Sequence, residues 1–420
     1  MEKLIIEGGK KLSGTVTISG AKNAALPIIA ATLLTEEKCV LENVPPLRDV
    51  YTMLKILRAL GVKTDMAQGR AVIEPKKYKG YVAPYKLVST MRASFCVLGA
   101  LLAKQRKTRV SLPGGCVIGQ RPIDLHLKGI KALGANVKIE HGYVVAKTRG
   151  LRGNNVFLGG TYGSSVLATA NVMMAATLAR GKTIIENAAC EPEVENLADF
   201  LIKMGARIKG HGTHRVEIDG VRKLGGAKHR VIPDRIEMGT YIIAAAMNGG
   251  NITIKNGRVD HISALLDKMK EAGVVISKHE DTVHVKGYSL KSVDVTTLPY
   301  PGFPTDLQAQ MMAMLSTTEG ISVITEKVFP DRFMHVSELN RMGAQIILEG
   351  VSAIIKGTKK LSGAPVMASD LRASAALVLA GLMARGRTEI HRIYHLDRGY
   401  ENIEEKLSNL GARIWREKDK

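Results

Sequence analysis

The chain has 420 residues and carries 60 Lys and Arg against 39 Asp and Glu, a formal net charge of +21. That length accommodates two or three ordinary domains. With 4% aromatic residues it is a poor candidate for a base-stacking nucleic-acid platform, and no apolar run reaches the ~18 residues of a membrane-spanning helix.

In chain order, the opening MEKLIIEGGKK lacks the pattern of a secretory signal, so a cytoplasmic protein is expected. It is followed by NAALPIIAATLL, apolar all round and therefore predicted to be a buried helix. Next comes VYTMLKILRAL, amphipathic at helical spacing and closed by Gly61. A helix–glycine element of this kind recurs at Gly134, Gly205, Gly273, Gly343 and Gly411, with gaps of 73, 71, 68, 70 and 68 residues. A fixed period of that size indicates repeated architecture. Glycine at each helix end suits the left-handed C′ conformation.

Alternating segments follow the glycines, such as ANVKIE with YVVAK, or ARIKGH with RVEID, and read as hairpins. Further helices rich in small apolar residues precede the amphipathic ones: SVLATANVMMAATLA, IEMGTYIIAAAM and ASAALVLAGLMA. These turn into strands such as GKTIIEN, GNITIKN, GISVITE and GRTEIHR. One unit therefore reads helix, strand, helix, strand, strand. Six copies make two α/β domains of three, with a boundary expected in the Gly-rich, charged stretch from Gly220 to Pro233.

Polar residues collect at the starts of the buried helices: Lys22 and Asn23, Arg92, Ser164 and Ser165, Asp234 and Arg235, Thr305 and Asp306, Asp370 and Arg372. Ser, Thr, Asp and Asn cap helices well. Lys22, Arg92 and Arg372 do not, because a cation at a helix N-terminus opposes the macrodipole by about 0.3–1 kcal/mol. A cation is suited to that place when an anion lies between it and the helix end.

The loop PGGCVIGQRPIDLH places Cys116 among Gly114, Gly115 and Gly119, with Arg121 after it. Glycine neighbours disfavour a packed core, and a nearby cation favours the thiolate, so Cys116 reads as a functional cysteine in a closing loop. Cys39, Cys96 and Cys190 stand singly, without a CxxC pair for zinc. His391 and His395 are four apart but lack further ligands in a known metal pattern. Arg398 and Arg332 are candidates for binding a carboxylate or phosphate, with a surface ion pair the competing reading for Arg332. No Walker A sequence, GxGxxG fingerprint or GxSxG elbow is present.

The segments TISGAKNAALPI, TMRAS, SLPGGCVIGQRPIDLH, PDRIE, FPTDLQAQ, DRFMHV, DLRASAALVLAG and YHLDRGYE, in this order over essentially the whole chain, closely resemble the UDP-N-acetylglucosamine enolpyruvyl (1-carboxyvinyl) transferases. The resemblance implies an inside-out α/β barrel in two similar domains, residues 22–232 and residues 1–21 with 233–420. It implies transfer of the enolpyruvyl group of phosphoenolpyruvate to the 3′-hydroxyl of UDP-N-acetylglucosamine, the first committed step towards peptidoglycan precursors. No metal or organic cofactor is implied, because phosphoenolpyruvate is itself the activated donor.

By the same resemblance, Lys22, Arg121 and Arg398 surround phosphoenolpyruvate, with Asn23 beside the reacting centre. Arg92, the run Arg121, Pro122, Ile123, Asp124 and Leu125, then Ser164, Ser165, Val166, Asp306 and Val328 match sugar-nucleotide contacts. Asp306 corresponds to the base near the attacking hydroxyl. Cys116 corresponds to the general acid and covalent partner of phosphoenolpyruvate, and to the target of the epoxide fosfomycin. Arg332, Asp370 and Arg372 match further charged residues of the closed site. Glu191 and Glu193 match an acidic pair, for which helix capping is an equal reading. Arg48 stands where Lys is common, and GGTYGSS lacks a Lys found in some members. Two rivals remain: enolpyruvyl transfer to shikimate 3-phosphate, whose enzymes share the repeat but lack the PGGC loop, and a basic nucleic-acid-binding protein. Neither membrane nor nucleic acid is an expected partner.

Overall fold

The computed structural model describes residues 2–114, 123–279 and 282–418. The chain divides into an N-terminal unit beginning at Gly20 and ending at Ile232, and a C-terminal unit formed by the chain up to Ser19 together with Pro233 onwards.

Each unit is α/β, with three helices inside and three four-stranded sheets. The inner helices of the N-terminal unit are Lys22–Ala31, Val97–Gln105 and Val166–Ala176; those of the C-terminal unit are Arg235–Met247, Gln308–Leu315 and Leu371–Met383. Their Ala-, Met- and Ile-rich sequences leave no polar face, so burial all round is the stable arrangement. Ala24, Ile28, Ile29 and Ala30 are wholly buried, as are Met311, Met312, Ala313 and Met314. None of the six sheets closes on itself among the described residues. The helices are the enclosed layer, as expected from their apolar sequences, and this is the inside-out arrangement that the family resemblance implies, without a closed barrel among the described residues.

Among the described residues, all six four-stranded sheets share one order. In the second, Val82–Ala83 runs parallel to Lys107–Ser111, which pairs antiparallel with Tyr143–Lys147, which pairs antiparallel with Asn136–Glu140. The strand after the inner helix and the hairpin are those read from the sequence. The short parallel edge strand is an addition that the repeat did not reveal, because two or three residues carry no usable alternation. The amphipathic helices end as their composition requires. Gly61, Gly134, Gly205, Gly273, Gly343 and Gly411 have φ of 93, 86, 101, 90, 94 and 96°, all in the left-handed region.

The sixth sheet is completed from the other end of the chain. Glu2–Glu7 lies between Arg387–His391 and Arg413–Lys418, antiparallel to both, with Ile5 opposite Glu389 on one side and Trp415 on the other. Leu4, Ile5 and Ile6 are fully buried there. Ser13–Thr17 likewise supplies the parallel edge strand beside Asn251–Lys255.

Candidate functional site

In the N-terminal unit the first inner helix starts at Lys22, and no side chain caps it. The Lys22 ammonium is buried and lies 3.1 Å from Asp49 Oδ2. Asp49 sits in the first turn of Arg48–Ala59, on the face that also carries Met53 and Ile56. A cation that would otherwise oppose the helix dipole is thus held by a carboxylate from the neighbouring helix. Asn23 follows it, half-buried.

Arg92 opens the turn Arg92–Cys96, also without a side-chain cap, which runs on into Val97–Gln105. Its charge reaches His126. The imidazole is fully buried, and burial, then Arg92, push its pKa down to about 3, so it is neutral. His126 Nδ1 is 2.9 Å from Asn171 Nδ2, and Asn171 also donates to the Phe95 carbonyl (3.0 Å) and accepts from the Gly99 amide (2.8 Å). This network ties the helix Asp124–Ala132, with exposed Asp124 and half-buried Leu125, to two inner helices. Ile123 stands at the N-cap of that helix. Ser164 lies in the two-residue strand Gly163–Ser164, and Ser165 caps the third inner helix, accepting from the Ala168 amide at 3.3 Å, with Val166 next. Cys116, Arg121 and Pro122 lie outside the described residues.

In the C-terminal unit two inner helices are capped by aspartates. Asp234 accepts from the amides of Ile236 (2.8 Å) and Glu237 (3.0 Å), and Asp370 from those of Arg372 (2.8 Å) and Ala373 (3.2 Å). The third, Gln308–Leu315, is preceded by the turn Thr305–Leu307, where Asp306 accepts from two guanidinium groups: Arg332 Nη1 at 2.8 Å and Arg372 Nη2 at 2.9 Å. Arg332 is 6% exposed and Arg372 2%, so these are buried cations. The surface-ion-pair reading of Arg332 is therefore wrong in its setting: its segment folds inward beside Thr305 instead of lying on the surface. Burial by itself raises the Asp306 pKa, but the charges of Arg372 and Arg332 and their hydrogen bonds hold it well below the usual carboxylate range.

Glu326 supports this group and was missed in the sequence. It is wholly buried and accepts from Thr297 Oγ1 (2.6 Å), Thr305 Oγ1 (2.9 Å) and the amides of Val328 (2.8 Å) and Phe329 (2.9 Å). Its signal was the alternation in ISVITE, which puts it on the core face with Ser322 and Ile324. Below Asp306, Gln310 donates to the Asp306 carbonyl (3.0 Å) and to the Tyr400 hydroxyl (3.1 Å), which is 2.9 Å from Thr240 Oγ1. The Arg372 guanidinium lies 5.5 Å from the Tyr400 ring centroid. Arg398 ends the turn Ile393–Arg398 and is half-buried. Glu191 occupies the N-cap of Pro192–Lys203 without a side-chain cap bond, and Glu193 is buried in its first turn.

The two clusters differ chemically. In the N-terminal unit one inner helix begins with a cation and a second is led in by a turn that does, both without an acidic or hydroxyl cap, an arrangement receptive to anions. Those of the C-terminal unit begin at carboxylates, one of them clamped by two arginines, an arrangement able to orient a hydroxyl and hold a proton.

A helix-lined α/β unit repeated in two copies, with charged residues at the inner-helix starts, defines a class that comparison identifies. A family model described as EPSP synthase (3-phosphoshikimate 1-carboxyvinyltransferase) matches residues 6–407, and the chain belongs to that family of enolpyruvyl transferases. Among solved structures it resembles the enolpyruvyl transferase NikO from Streptomyces tendae, at a TM-score of 0.89 and 24% identity over 99% of this chain and 98% of that one. It also resembles the EPSP synthase of Acinetobacter baumannii, at 0.78 and 18% over 99% and 100%. At those identities the likeness concerns the fold.

Curated relatives are more specific. The chain is 55% identical to the UDP-N-acetylglucosamine 1-carboxyvinyltransferase of Methylacidiphilum infernorum over 417 residues, 99% of each chain. It is likewise 55% identical to the enzyme of that name from Geotalea uraniireducens over 99% of each chain. The resemblance carried by the sequence motifs thus holds over the full length.

Proposed function

We propose that this protein transfers the enolpyruvyl group of phosphoenolpyruvate to the 3′-hydroxyl of UDP-N-acetylglucosamine with release of phosphate, in the cytoplasm, as a step of peptidoglycan precursor synthesis. The observation that carries the reading is the Asp306 carboxylate held between Arg332 and Arg372 at the head of an inner helix, in a chain 55% identical end to end to enzymes of that name.

The reaction runs by addition and elimination. The Cys116 thiol delivers a proton to C3 of phosphoenolpyruvate, making C2 electrophilic. The sugar hydroxyl attacks C2 as its proton passes to Asp306, giving a tetrahedral phosphate ketal. Loss of a proton from C3 and cleavage of the C2–O bond to phosphate restore the enol ether. Asp306 paired with two guanidinium groups is a weak base. Accepting the proton therefore requires Arg332 and Arg372 to redirect hydrogen bonds to the anionic substrates as they arrive. Lys22, Arg121 and Arg398 neutralise phosphoenolpyruvate, with Asn23 beside it. Arg92, Pro122 to Leu125, Ser164 to Val166 and Val328 hold the sugar nucleotide. Asp370 orients the Arg372 helix end. We further propose that the two units are two enolpyruvyl transferase domains, residues 22–232 and residues 1–21 with 233–420.

A phosphate-release assay tests the proposal. Phosphate should appear with phosphoenolpyruvate and UDP-N-acetylglucosamine together, and disappear in Asp306→Ala. Turnover with shikimate 3-phosphate instead would overturn the choice of acceptor. Fosfomycin should alkylate Cys116 and abolish turnover; undiminished activity after complete labelling would remove the cysteine from the mechanism.

A further inference from the structure

Eight lysines and arginines line two adjoining cavities of the N-terminal unit. A cavity of about 320 Å³ is lined by Lys104, Arg106, Arg180, Arg222 and Lys223, with Glu36 as its one carboxylate. A second, of about 550 Å³, shares Thr148 and Gly150 with the first and adds Lys147, Arg149 and Arg152. Together they form one groove.

Its position separates it from the helix starts described above. Lys104 is in the last turn of Val97–Gln105, and Arg106 is the left-handed cap of that helix (φ 58°). Leu34 closes the turn after Lys22–Ala31, and Leu178 follows Val166–Ala176. The groove therefore lies at the C-terminal ends of the inner helices, about 15 Å along their axes from Lys22 and Ser165.

The bland explanation is that these cations neutralise helix C-termini. The magnitudes do not balance. Three helix ends carry roughly −0.5 charge each, which offsets fewer than two of the five cations in the first cavity, and Glu36 offsets one more. Lys104 pairs with Glu36 at 3.2 Å, while the other seven cations make no ion pair among the described residues. Some surface cations elsewhere are paired, as Arg215 is with Glu186 (3.2 Å) and Arg416 with Asp397 (2.6 Å), and others, such as Lys138 and Lys270, make no ion pair among the described residues. What sets this place apart is the number of cations lining one concavity. Uncompensated like charges around one concavity repel each other and are relieved by a bound anion.

The frame is also built. The Thr148 amide donates to the Arg106 carbonyl (2.9 Å), the Arg180 amide to Leu151 (2.9 Å), the Gly153 amide to Arg180 (2.8 Å) and the Val221 amide to Thr177 (2.8 Å). These bonds stitch the loops of successive repeats together, so the cations are presented on a fixed floor. The lining has no aromatic side chain on which a base could stack, and no protruding apolar group for a bilayer. The volume of the first cavity suits a small ligand. We propose that this groove binds a polyphosphate chain, either inorganic or the phosphate tail of a nucleotide, held by the Arg180 and Arg222 guanidinium groups.

Calorimetric titration of the full chain with inorganic triphosphate tests this. Binding is expected at low salt, weakening as salt is raised. The double variant Arg180→Ala/Arg222→Ala should bind about tenfold or more weakly while keeping wild-type enolpyruvyl transfer. Arg180→Lys/Arg222→Lys should bind more tightly than the alanine variant and less tightly than wild type, separating charge loss from misfolding. ATP binding no more tightly than triphosphate identifies an inorganic chain; tighter ATP binding identifies a nucleotide. Equal triphosphate affinity in wild type and double alanine variant would overturn the proposal. So would sedimentation with phosphatidylserine vesicles in the absence of any triphosphate binding.

Discussion

Arg372 Nη2 lies 2.9 Å from Asp306 Oδ2, joining the start of the last inner helix to the turn that opens the preceding one. The arginine side chain is 3% exposed, so its charge is stable there only with the carboxylate in place.

Asp306→Asn should therefore destabilise the protein by about 3 kcal/mol at neutral pH, read by urea denaturation. Because the folded pKa of Asp306 is depressed, its contribution is present above the ordinary carboxylate range and fades as pH falls towards the depressed value. The double variant Asp306→Asn/Arg372→Met should recover part of the loss. Additive losses would show that the two groups are not coupled.

Glu237 predicts the opposite pH sign. It is buried, and burial raises its pKa to about 7 against the lowering effect of Lys406, whose ammonium is 2.7 Å away. An acid with a raised folded pKa stabilises the fold fully below its unfolded pKa, and that contribution is lost as pH rises through about 7. The stability of wild type relative to Glu237→Gln should therefore fall by at most about 1.4 kcal/mol per pH unit across this window. Thermal melts of both proteins between mildly acidic and neutral pH measure it; a constant difference would exclude the linkage.

Gly343 has φ of 94°, and a Cβ added there meets nothing within 4 Å. The cost of Gly343→Ala is then purely conformational, about 1 kcal/mol, and Gly343→Asn should cost less because Asn tolerates the left-handed region. A larger alanine loss in chemical denaturation would point to packing instead.

Leu4 is fully buried in the strand that completes the sixth sheet. Leu4→Ala should cost about 2–5 kcal/mol. Removal of residues 2–7 should expose the backbone of Arg387–His391 and Arg413–Lys418 and render the C-terminal unit sensitive to protease. Wild-type resistance in the truncated chain would mean that another segment fills the gap.

Much of the architecture was legible because it is written locally. A helix without a polar face must be buried, and a glycine after an amphipathic run marks a left-handed cap, so NAALPIIAATLL and Gly61 could be interpreted without coordinates. The period then multiplied each reading by six. The charged residues at the helix starts were legible for a similar reason, since Lys22 and Arg372 oppose a dipole that any helix has.

What the tertiary structure alone decided are pairings between residues far apart in the chain. The family resemblance groups residues 1–21 with 233–420, but nothing around Glu2–Glu7 specifies the slot it fills, between Arg387–His391 and Arg413–Lys418. Asp49 as the partner of Lys22, and Glu326 as the support of Thr305 and of the Val328 amide, were equally invisible. Local sequence sets backbone conformation and which face is apolar. The choice of partner for a buried charge or an open strand edge depends on which distant group can reach it at hydrogen-bond distance, and only the folded chain brings those groups together.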